Sequence, residues 1–394
     1  MRLLTVGNKY PPLHDGGYEL VWQDAVEYLR GRGHEVQVLT TDHRAGERIP
    51  AEPGVSRALR WYWRDHAFPR LGPIERLRLE RHNAAVFDRL VRDFDPDVVG
   101  WWAMGGMSLG LIERVRRSRR PAVGAICDDW MLYGPGVDAW MRMFSRRPSL
   151  GALAERATGL PTRVDLAAFG PCLFPSETTR RRALERLPIA ETRVCHQGVS
   201  SELFRSAPPR PWRWRLLSVG RLDPRKGVDL AVRAVAELPG EARLTVAGEG
   251  DDAYRAELVE LAASLGISDR VTFTSRRRSE LSELYADADA VLFPVRWEEP
   301  WGLVPLEAMA VGRPVVASGL GGSGEYLSDG ENCLLTSPDG APSVLADRVR
   351  ALAADASLRA RLREGGFATT ARFGADDFSR AFEEAAEQAL AAGP

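Results

Sequence analysis

The chain has 394 residues, a hydrophobic fraction of 44% and a formal net charge of −1. At roughly 150 residues per domain, this length predicts two or three globular domains. The near-neutral charge argues against a nucleic-acid-binding protein, which usually carries a basic excess. No run of about 18 apolar residues is present and the N-terminal apolar run is short, so we expect neither a membrane-spanning helix nor a signal peptide.

The four cysteines lack the spacing of metal ligands, and they are Cys127, Cys172, Cys195 and Cys333. Such scattered cysteines are typical of free thiols in a reducing cytoplasm, where we expect the protein to reside. No cluster of His and Cys indicates a metal site, so we expect no metal and no bound cofactor. The basic residues are nearly all arginine, and Lys9 and Lys226 are the only lysines.

Short apolar runs alternate with amphipathic stretches from the N-terminus onward, which predicts parallel sheets covered by helices. The first predicted strands are Leu3–Val6, Val36–Thr40, Val98–Trp101 and Ala122–Ile126, with helices over 17–32 and 74–93. Residues 41–72 lack clear periodicity. Residues 127–150 contain several Gly and Pro and are predicted to be rich in loops.

Three prolines in the polar stretch 206–214 indicate a linker, after which the alternation restarts. The later predicted strands are Leu216–Val219, Leu244–Ala247, Val271–Thr274, Ala290–Phe293 and Pro314–Ala317, and an amphipathic helix is predicted over 375–391. The predicted fold class is α/β, with two doubly wound Rossmann-like domains facing across a cleft. We place these domains at 1–205 and 216–374, the linker at 206–215, and a C-terminal segment at 375–394 that packs on the first domain.

The segment 293–318 carries the strongest chemical pattern. A strand is predicted to end at Phe293 and a helix to begin near Gly302, with Pro305 in its first turn, where a missing N–H costs nothing. The N–H groups of Gly302, Leu303 and Val304 would then be free to point at an anion.

Two carboxylates flank this helix start. Glu299 lies in the loop before it and Glu307 about one turn into it, with seven residues between them. A carboxylate only accepts hydrogen bonds, which suits paired sugar hydroxyls. The alternative is a capped core helix with two solvated glutamates.

Two cations flank another strand-to-helix turn. Arg221 follows the strand Leu216–Val219, and Lys226 precedes the next helix. Fixed cations at such a turn suit a diphosphate and can stabilise the charge on a leaving group. A solvated turn is the alternative.

With these motifs the chain resembles the family 4 retaining glycosyltransferases, whose GT-B fold has two Rossmann-like domains. Members of that family place an Arg and a Lys after the first strand of the second domain, and two Glu separated by seven residues around a phosphate-binding helix start. Arg221, Lys226, Glu299 and Glu307 match these positions. The resemblance implies a metal-independent enzyme that moves a sugar from a nucleoside-diphosphate sugar to an acceptor hydroxyl.

The resemblance also implies residue roles. Arg221 and Lys226 would bind the diphosphate, Glu299 would contact the donor sugar near its reacting carbon, and Glu307 would hold the ribose. The backbone near Arg276 and Arg277 would line the base. The N-terminal domain would bind the acceptor.

In the first domain, the pair Gly16 and Gly17 precedes a predicted helix, which favours close backbone approach to the donor phosphate or the acceptor; a simple tight turn is the alternative. The family usually has a histidine after the fourth strand, where this chain has Cys127 and Asp128. We place His14, Asp128, Asp129 and Trp130 on the acceptor side, with helix capping or core packing as the alternative for each.

Other functions stay open at this point. A nucleotide-sugar-binding protein without catalysis, a GT-B epimerase and a sugar phosphorylase would share much of this pattern. The acceptor could be a natural product, a glycolipid or a polysaccharide precursor. A basic run, Arg116, Arg117, Arg119 and Arg120, allows weak peripheral contact with an anionic membrane, or else forms a solvated helix end.

Overall fold

A computed structural model describes residues 1–14, 16–43, 49, 51–63 and 68–393. The chain divides into two compact units, Met1–Cys195 with Phe378–Pro394, and His196–Asp377. The boundary thus lies at 195/196, whereas the sequence placed it at 205/206. Residues 196–214 join the second unit through their contacts: Trp301 Nε1 donates to the carbonyl of Gln197 at 2.7 Å, and the N–H of Ala207 donates to the carbonyl of Val311 at 3.0 Å.

The first unit is built on a parallel sheet of seven strands in its described residues. These are β1 (Arg2–Val6), β2 (Glu35–Thr41), β3 (Val55–Leu59), β4 (Val98–Trp101), β5 (Ala122–Ala125), β6 (Cys172–Phe174) and β7 (Thr192–Val194). The sheet order is β3-β2-β1-β4-β5-β6-β7. Its covering helices are α1 (Gly17–Gly31), α2 (Pro73–Phe94), α3 (Gly110–Arg117), α4 (Trp130–Val137), α5 (Ala139–Phe144), α6 (Pro148–Thr158) and α7 (Glu177–Leu184).

The second unit repeats this plan with a six-stranded parallel sheet. Its strands are β8 (Arg215–Val219), β9 (Arg243–Ala247), β10 (Val271–Thr274), β11 (Ala290–Phe293), β12 (Val315–Ala317) and β13 (Leu334–Leu335), in the order β10-β9-β8-β11-β12-β13. Its helices are α8 (Val228–Ala236), α9 (Asp252–Ser264), α10 (Arg278–Asp287), α11 (Leu303–Val311), α12 (Pro342–Ala354) and α13 (Ala356–Thr370). Both sheets are doubly wound, because the strand order reverses between β1 and β4 in the first sheet and between β8 and β11 in the second.

The last helix, α14 (Asp377–Ala392), packs on the first unit from Phe378 onward. The ring of Phe382 lies 5.2 Å from that of Trp102, and a Cβ added at Gly100 of β4 would come within 2.7 Å of Phe382. The Glu383 carboxylate accepts a hydrogen bond from His34 Nε2 at 2.7 Å. In the described part of the chain, no helix is both long enough and apolar enough to span a bilayer.

Residues 127–150 contradict the loop prediction, because they form α4, α5 and the start of α6. Pro135 even lies inside α4. The buried side chains of Trp130 and Trp140 anchor these helices in the core of the first unit. Tertiary burial here outweighs the low helix propensity of Gly and Pro.

A buried carboxyl pair ties helix α2 to the loops of the first unit. Glu80 accepts a hydrogen bond from Tyr62 Oη at 2.6 Å, and Asp138 accepts the N–H of Leu109 at 3.0 Å. Burial, followed by the charge of Asp138, raises the pKa of Glu80 to about 8. Glu80 therefore keeps its proton at neutral pH.

Replacing Glu80 by Gln is expected to stabilise the protein increasingly as the pH rises. A carboxyl whose pKa is higher in the folded state binds its proton more tightly there than in the unfolded state. The protonated Glu80 therefore contributes its full stabilisation below the ordinary glutamate pKa of 4.5, and this contribution is lost as the pH rises to about 8. The variant has no such loss, and its advantage should grow by up to about 1.4 kcal/mol per pH unit in this window. Thermal unfolding of both proteins from acidic to alkaline pH tests this, and a pH-independent difference would contradict it.

Candidate functional site

The topology of the second unit brings two loops together. Strands β8 and β11 are hydrogen-bonded neighbours, and the strand order of the sheet reverses between them. Ligands in doubly wound sheets bind at the carboxyl ends of the strands at such a point. The loop after β8 carries Arg221 and Lys226, and the loop after β11 carries Glu299.

Lys226 and Glu299 form an ion pair across these loops. The Lys226 Nζ lies 2.7 Å and 2.9 Å from the two carboxylate oxygens of Glu299. Both side chains are mostly buried, with exposed fractions of 18% and 11%. Gly227, with φ of 68°, allows the close approach of the loops, because a Cβ there would lie 2.0 Å from the carbonyl oxygen of Pro294.

Trp297 contacts both members of this pair, a role that the sequence did not predict. Its Nε1 donates to Glu299 Oε2 at 2.5 Å. The Nζ of Lys226 lies 5.4 Å from its ring centroid and the guanidinium of Arg225 lies 4.6 Å away. The indole therefore fixes the carboxylate by a hydrogen bond and the cations by cation–π attraction. In the sequence, the signal for this contact is an aromatic residue two positions before Glu299.

Arg221 is held at the same turn by Asp223. Its Nη2 lies 3.3 Å from Asp223 Oδ2, and the N–H of Arg225 donates to Asp223 Oδ1 at 2.9 Å. Burial opposes ionisation of Asp223, but hydrogen bonds from Arg225 and the charges of Arg225 and Arg221 lower its pKa to about 2. Asp223 is thus an ionised anchor that orients the two arginines.

The start of α11 carries backbone donors at a buried glycine, and the binding of an anion there stays a prediction. Gly302 has φ of 89°, a left-handed conformation that favours glycine, and Tyr326 Oη donates to its carbonyl oxygen. Within the described residues, the N–H groups of Gly302, Leu303 and Val304 have no acceptor. These three donors and the helix dipole favour a phosphate at this end.

Glu307 lies on α11 and is buried, not solvated. Tyr285 Oη donates to its Oε2 at 2.5 Å. Burial raises the pKa of Glu307, while the Tyr285 hydrogen bond and the charge of Arg278 oppose that rise. The alternative of a solvated surface glutamate is therefore wrong for Glu307. It is also wrong for Glu299, since 9% of that residue as a whole is exposed.

Arg276, expected near the base, follows β10 and is exposed, with its Nη1 donating to the carbonyl of Ser275 at 3.2 Å. In the sheet order, β10 lies two strands from β8. The base-lining role of Arg276 and Arg277 stays a prediction.

Gly16 and Gly17 lie at the start of α1 in the first unit. The N–H of Gly16 donates to Glu19 Oε2 at 3.2 Å, and a Cβ at Gly16 would meet nothing within 4 Å. Packing therefore does not require glycine at this position. His14 precedes this turn and is exposed.

Of the residues expected on the acceptor side of the first unit, Asp128 and Asp129 make polar contacts, whereas Trp130 is buried in the core. Asp128 accepts hydrogen bonds from the N–H of Trp130 and from Tyr133 Oη, both at 3.1 Å, and Asp129 pairs with Arg182 at 2.6 Å. Trp130 is 0% exposed, so its expected place beside the acceptor is wrong and it belongs to the core. Cys127, at the position of the family histidine, is buried.

One group of three side chains in the described residues could reach a common metal ion: His34, Glu383 and Glu387. The group is already engaged, because His34 Nδ1 lies 3.1 Å from the N-terminal amine and Arg32 Nε lies 3.4 Å from Glu383. A cation beside the carboxylate disfavours a second one, so this group explains the docking of α14 better than it explains metal binding.

Two protein-family models match the chain and together span residues 15–369. The model for glycosyltransferase family 4 matches residues 15–203, and that for group 1 glycosyl transferases matches residues 200–369. The chain belongs to the family 4 glycosyltransferases. The expected family is thereby confirmed.

Curated relatives in the family are D-inositol 3-phosphate glycosyltransferases. The protein from Xylanimonas cellulosilytica is 38% identical over 246 residues, which are 61% of this chain and 53% of the relative. That from Frankia alni is 39% identical over 202 residues, 46% of this chain and 49% of the relative. The chain thus spans about half the length of the curated relatives that it matches.

Solved structures confirm the GT-B fold. Sucrose-phosphate synthase from Thermosynechococcus elongatus has a TM-score of 0.75 at 20% identity, with all of both chains covered. The Anabaena protein HepE, in complex with UDP-glucose, has a TM-score of 0.72 at 22% identity, with 98% of this chain and 100% of HepE covered. WaaG, a glycosyltransferase of lipopolysaccharide biosynthesis, has a TM-score of 0.70 at 19% identity, with 97% and 99% covered.

Proposed function

We propose that this family 4 member moves a sugar from a nucleoside-diphosphate sugar to an acceptor hydroxyl, with retention of configuration and without a metal. The pairing of Lys226 with Glu299 beside the start of α11 carries the proposal. This pairing sets a fixed cation and a fixed carboxylate next to three backbone donors that have no acceptor within the described residues.

The diphosphate is the group that these donors suit. An ammonium has three N–H donors, and Lys226 uses two of them on Glu299, so the third can reach a phosphate oxygen. Arg221 adds a guanidinium whose orientation Asp223 fixes. With the dipole of α11, these groups supply the positive charge that stabilises a departing diphosphate.

The carboxylates then take the sugar and the ribose. Glu299 would contact the donor sugar near its reacting carbon, and Glu307, one turn into α11, would accept hydrogen bonds from the ribose hydroxyls. Gly16 and Gly17 would offer backbone to the donor or acceptor, and the segment at Arg276 would line the base. His14, Asp128 and Asp129 stay on the acceptor side of this proposal.

Retention requires that the acceptor attack the face from which the diphosphate leaves. In this front-face reaction the bond from the sugar carbon to the phosphate oxygen breaks as the bond to the acceptor oxygen forms. The departing phosphate oxygen takes the acceptor proton. Catalysis then depends on charge stabilisation and on positioning, with no covalent intermediate on Glu299.

UDP-glucose is the first donor to test, because HepE was solved in complex with it. All four cysteines are free thiols, which supports action in the reducing cytoplasm.

A transfer assay tests the proposal. The full chain is incubated with a panel of nucleoside-diphosphate sugars and candidate polyol, lipid and glycan acceptors, with and without a chelator. We expect acceptor-dependent release of one nucleoside diphosphate, unchanged by the chelator, and a product whose anomeric configuration matches the donor. Binding without turnover would favour a non-catalytic nucleotide-sugar protein, and release of sugar phosphate would indicate a phosphorylase.

Replacing Trp297 by Phe is expected to lower kcat/KM about tenfold, because the ring remains beneath Arg225 and Lys226 while the charge-assisted hydrogen bond to Glu299 is lost. Trp212→Phe is the matched control, since the indole N–H of Trp212 has no hydrogen-bond partner among the residues that the structure describes. Steady-state kinetics of both variants on the same donor gives the comparison. Equal rates for the two variants would show that the indole N–H does not position Glu299.

A further inference from the structure

Helix α6 in the first unit presents an apolar stripe to solvent. Leu150 is 48% exposed and Leu153 is 63% exposed. The opposite side of the helix faces the protein, because a Cβ at Gly151 would lie 2.9 Å from Thr162 and 3.1 Å from Phe144. In the described part of the chain, no other helical turn exposes two large apolar side chains to this degree.

Arginines precede, lie within and follow α6 in the chain. Residues 139–163 contain five arginines and one glutamate, a net charge of +4 within a chain whose net charge is −1. All five arginines are exposed, and they are Arg142, Arg146, Arg147, Arg156 and Arg163. None of the five has an ion-pair partner among the residues that the structure describes. The single glutamate, Glu155, is already bound by Arg117.

This surface differs from the basic run that the sequence suggested for membrane contact. Arg116 and Arg117 pair with the buried Glu113 at 2.7 Å and 2.6 Å, and Arg120 pairs with Asp95 at 3.3 Å. Three of the four arginines of that run are therefore neutralised within the fold. The unpaired positive charge lies instead around α6.

We propose that α6 and its flanking arginines dock the protein on an anionic lipid bilayer. Two leucines on one helix face can enter the boundary between headgroups and acyl chains, while arginines on either side bind lipid phosphates. The long arginine side chains can cover apolar surface and keep their charge in the headgroup layer. The charge complementarity selects a lipid surface over a second copy of this face, which would place like charges together. This docking is independent of the proposed transfer reaction.

Vesicle co-sedimentation of the full chain tests the proposal without any donor or acceptor. We expect binding to vesicles of phosphatidylglycerol and phosphatidylcholine, and little binding to phosphatidylcholine alone. Added salt should weaken the binding, because screening shortens the range of the arginine–phosphate attraction. Leu150→Ser with Leu153→Ser should reduce the vesicle-bound fraction about tenfold, and Arg146→Gln with Arg147→Gln should do so to a similar degree.

Matched controls come from the second unit. Val259→Ser with Val344→Ser changes two other exposed apolar side chains, and Arg213→Gln with Arg233→Gln removes two other exposed arginines. Both control pairs should bind vesicles as the unaltered protein does, and the thermal unfolding of all variants should be near normal because every altered side chain is exposed. The proposal is overturned if the unaltered chain ignores anionic vesicles, if the α6 variants bind like the controls, or if they change only the oligomeric state.

Discussion

Replacing Lys226 by alanine is expected to lower kcat/KM about a hundredfold, which corresponds to the loss of roughly 3 kcal/mol of transition-state stabilisation. The reason is the position of its ammonium, 2.7 Å from Glu299 and adjacent to the open donors of α11. Without it, the leaving diphosphate loses a cation, and the largely buried Glu299 loses its counter-charge. Steady-state kinetics with the donor varied at saturating acceptor measures the effect.

Two further measurements separate chemistry from folding in this variant. Its thermal unfolding should show that the second unit is intact. Lys226→Arg should restore the charge but only part of the rate, because the larger planar guanidinium does not fit the mostly buried place that the ammonium occupies beside Glu299 and Trp297. A near-normal rate in Lys226→Ala would remove this residue from the reaction.

Replacing Glu307 by Gln is expected to weaken the affinity for the nucleoside diphosphate about tenfold, with a smaller effect on kcat. The carboxylate accepts a hydrogen bond from Tyr285 at 2.5 Å. In the proposed function it would also accept hydrogen bonds from the ribose, which would be bound alike in the ground and transition states. Because burial raises the pKa of Glu307, it is protonated at less acidic pH than an exposed glutamate. Nucleotide affinity should therefore fall more steeply with decreasing pH in the unaltered protein than in Glu307→Gln.

Tyr285→Phe serves as the control for that pH dependence. Its hydroxyl lowers the pKa of Glu307, so its loss should move the decline of affinity to higher pH while the affinity at alkaline pH stays nearly normal. Isothermal titration across pH gives both values. Unchanged affinity in Glu307→Gln at every pH would contradict the ribose assignment.

The sequence predicts the buried strands of both sheets well. Val98–Trp101 and Ala290–Phe293 agree to the residue, because strands covered on both faces are continuous apolar runs. The edge strand Val271–Thr274 also agrees, although Thr272 is exposed. Strands β3, β6, β7 and β13 were missed. The strands β6, β7 and β13 have only two or three residues each, and β3 lies in a stretch without clear periodicity. Their positions depend on pairing with neighbouring strands, which a local sequence pattern does not show.

Some residues of the candidate site could also be predicted from the sequence, and others could not. The doubly wound topology explains how Lys226 meets Glu299, 73 positions along the chain, since both follow strands that are neighbours in the sheet. The partners Trp297 and Tyr285 could not be assigned from spacing alone, because indole and phenol side chains in such segments usually serve the core. For Trp130 the error was the opposite one. The sequence predicted a loop residue beside the acceptor, whereas tertiary packing buries this indole in the core.

A crystal structure of the chain with its nucleoside diphosphate would show whether Lys226, Arg221 and the start of α11 form the donor site. We expect diphosphate oxygens within hydrogen-bond distance of Lys226 Nζ, of the Arg221 guanidinium and of the N–H groups at the start of α11, with the ribose on Glu307. A nucleotide bound elsewhere, or one whose phosphates avoid Lys226 and the α11 start, would contradict it.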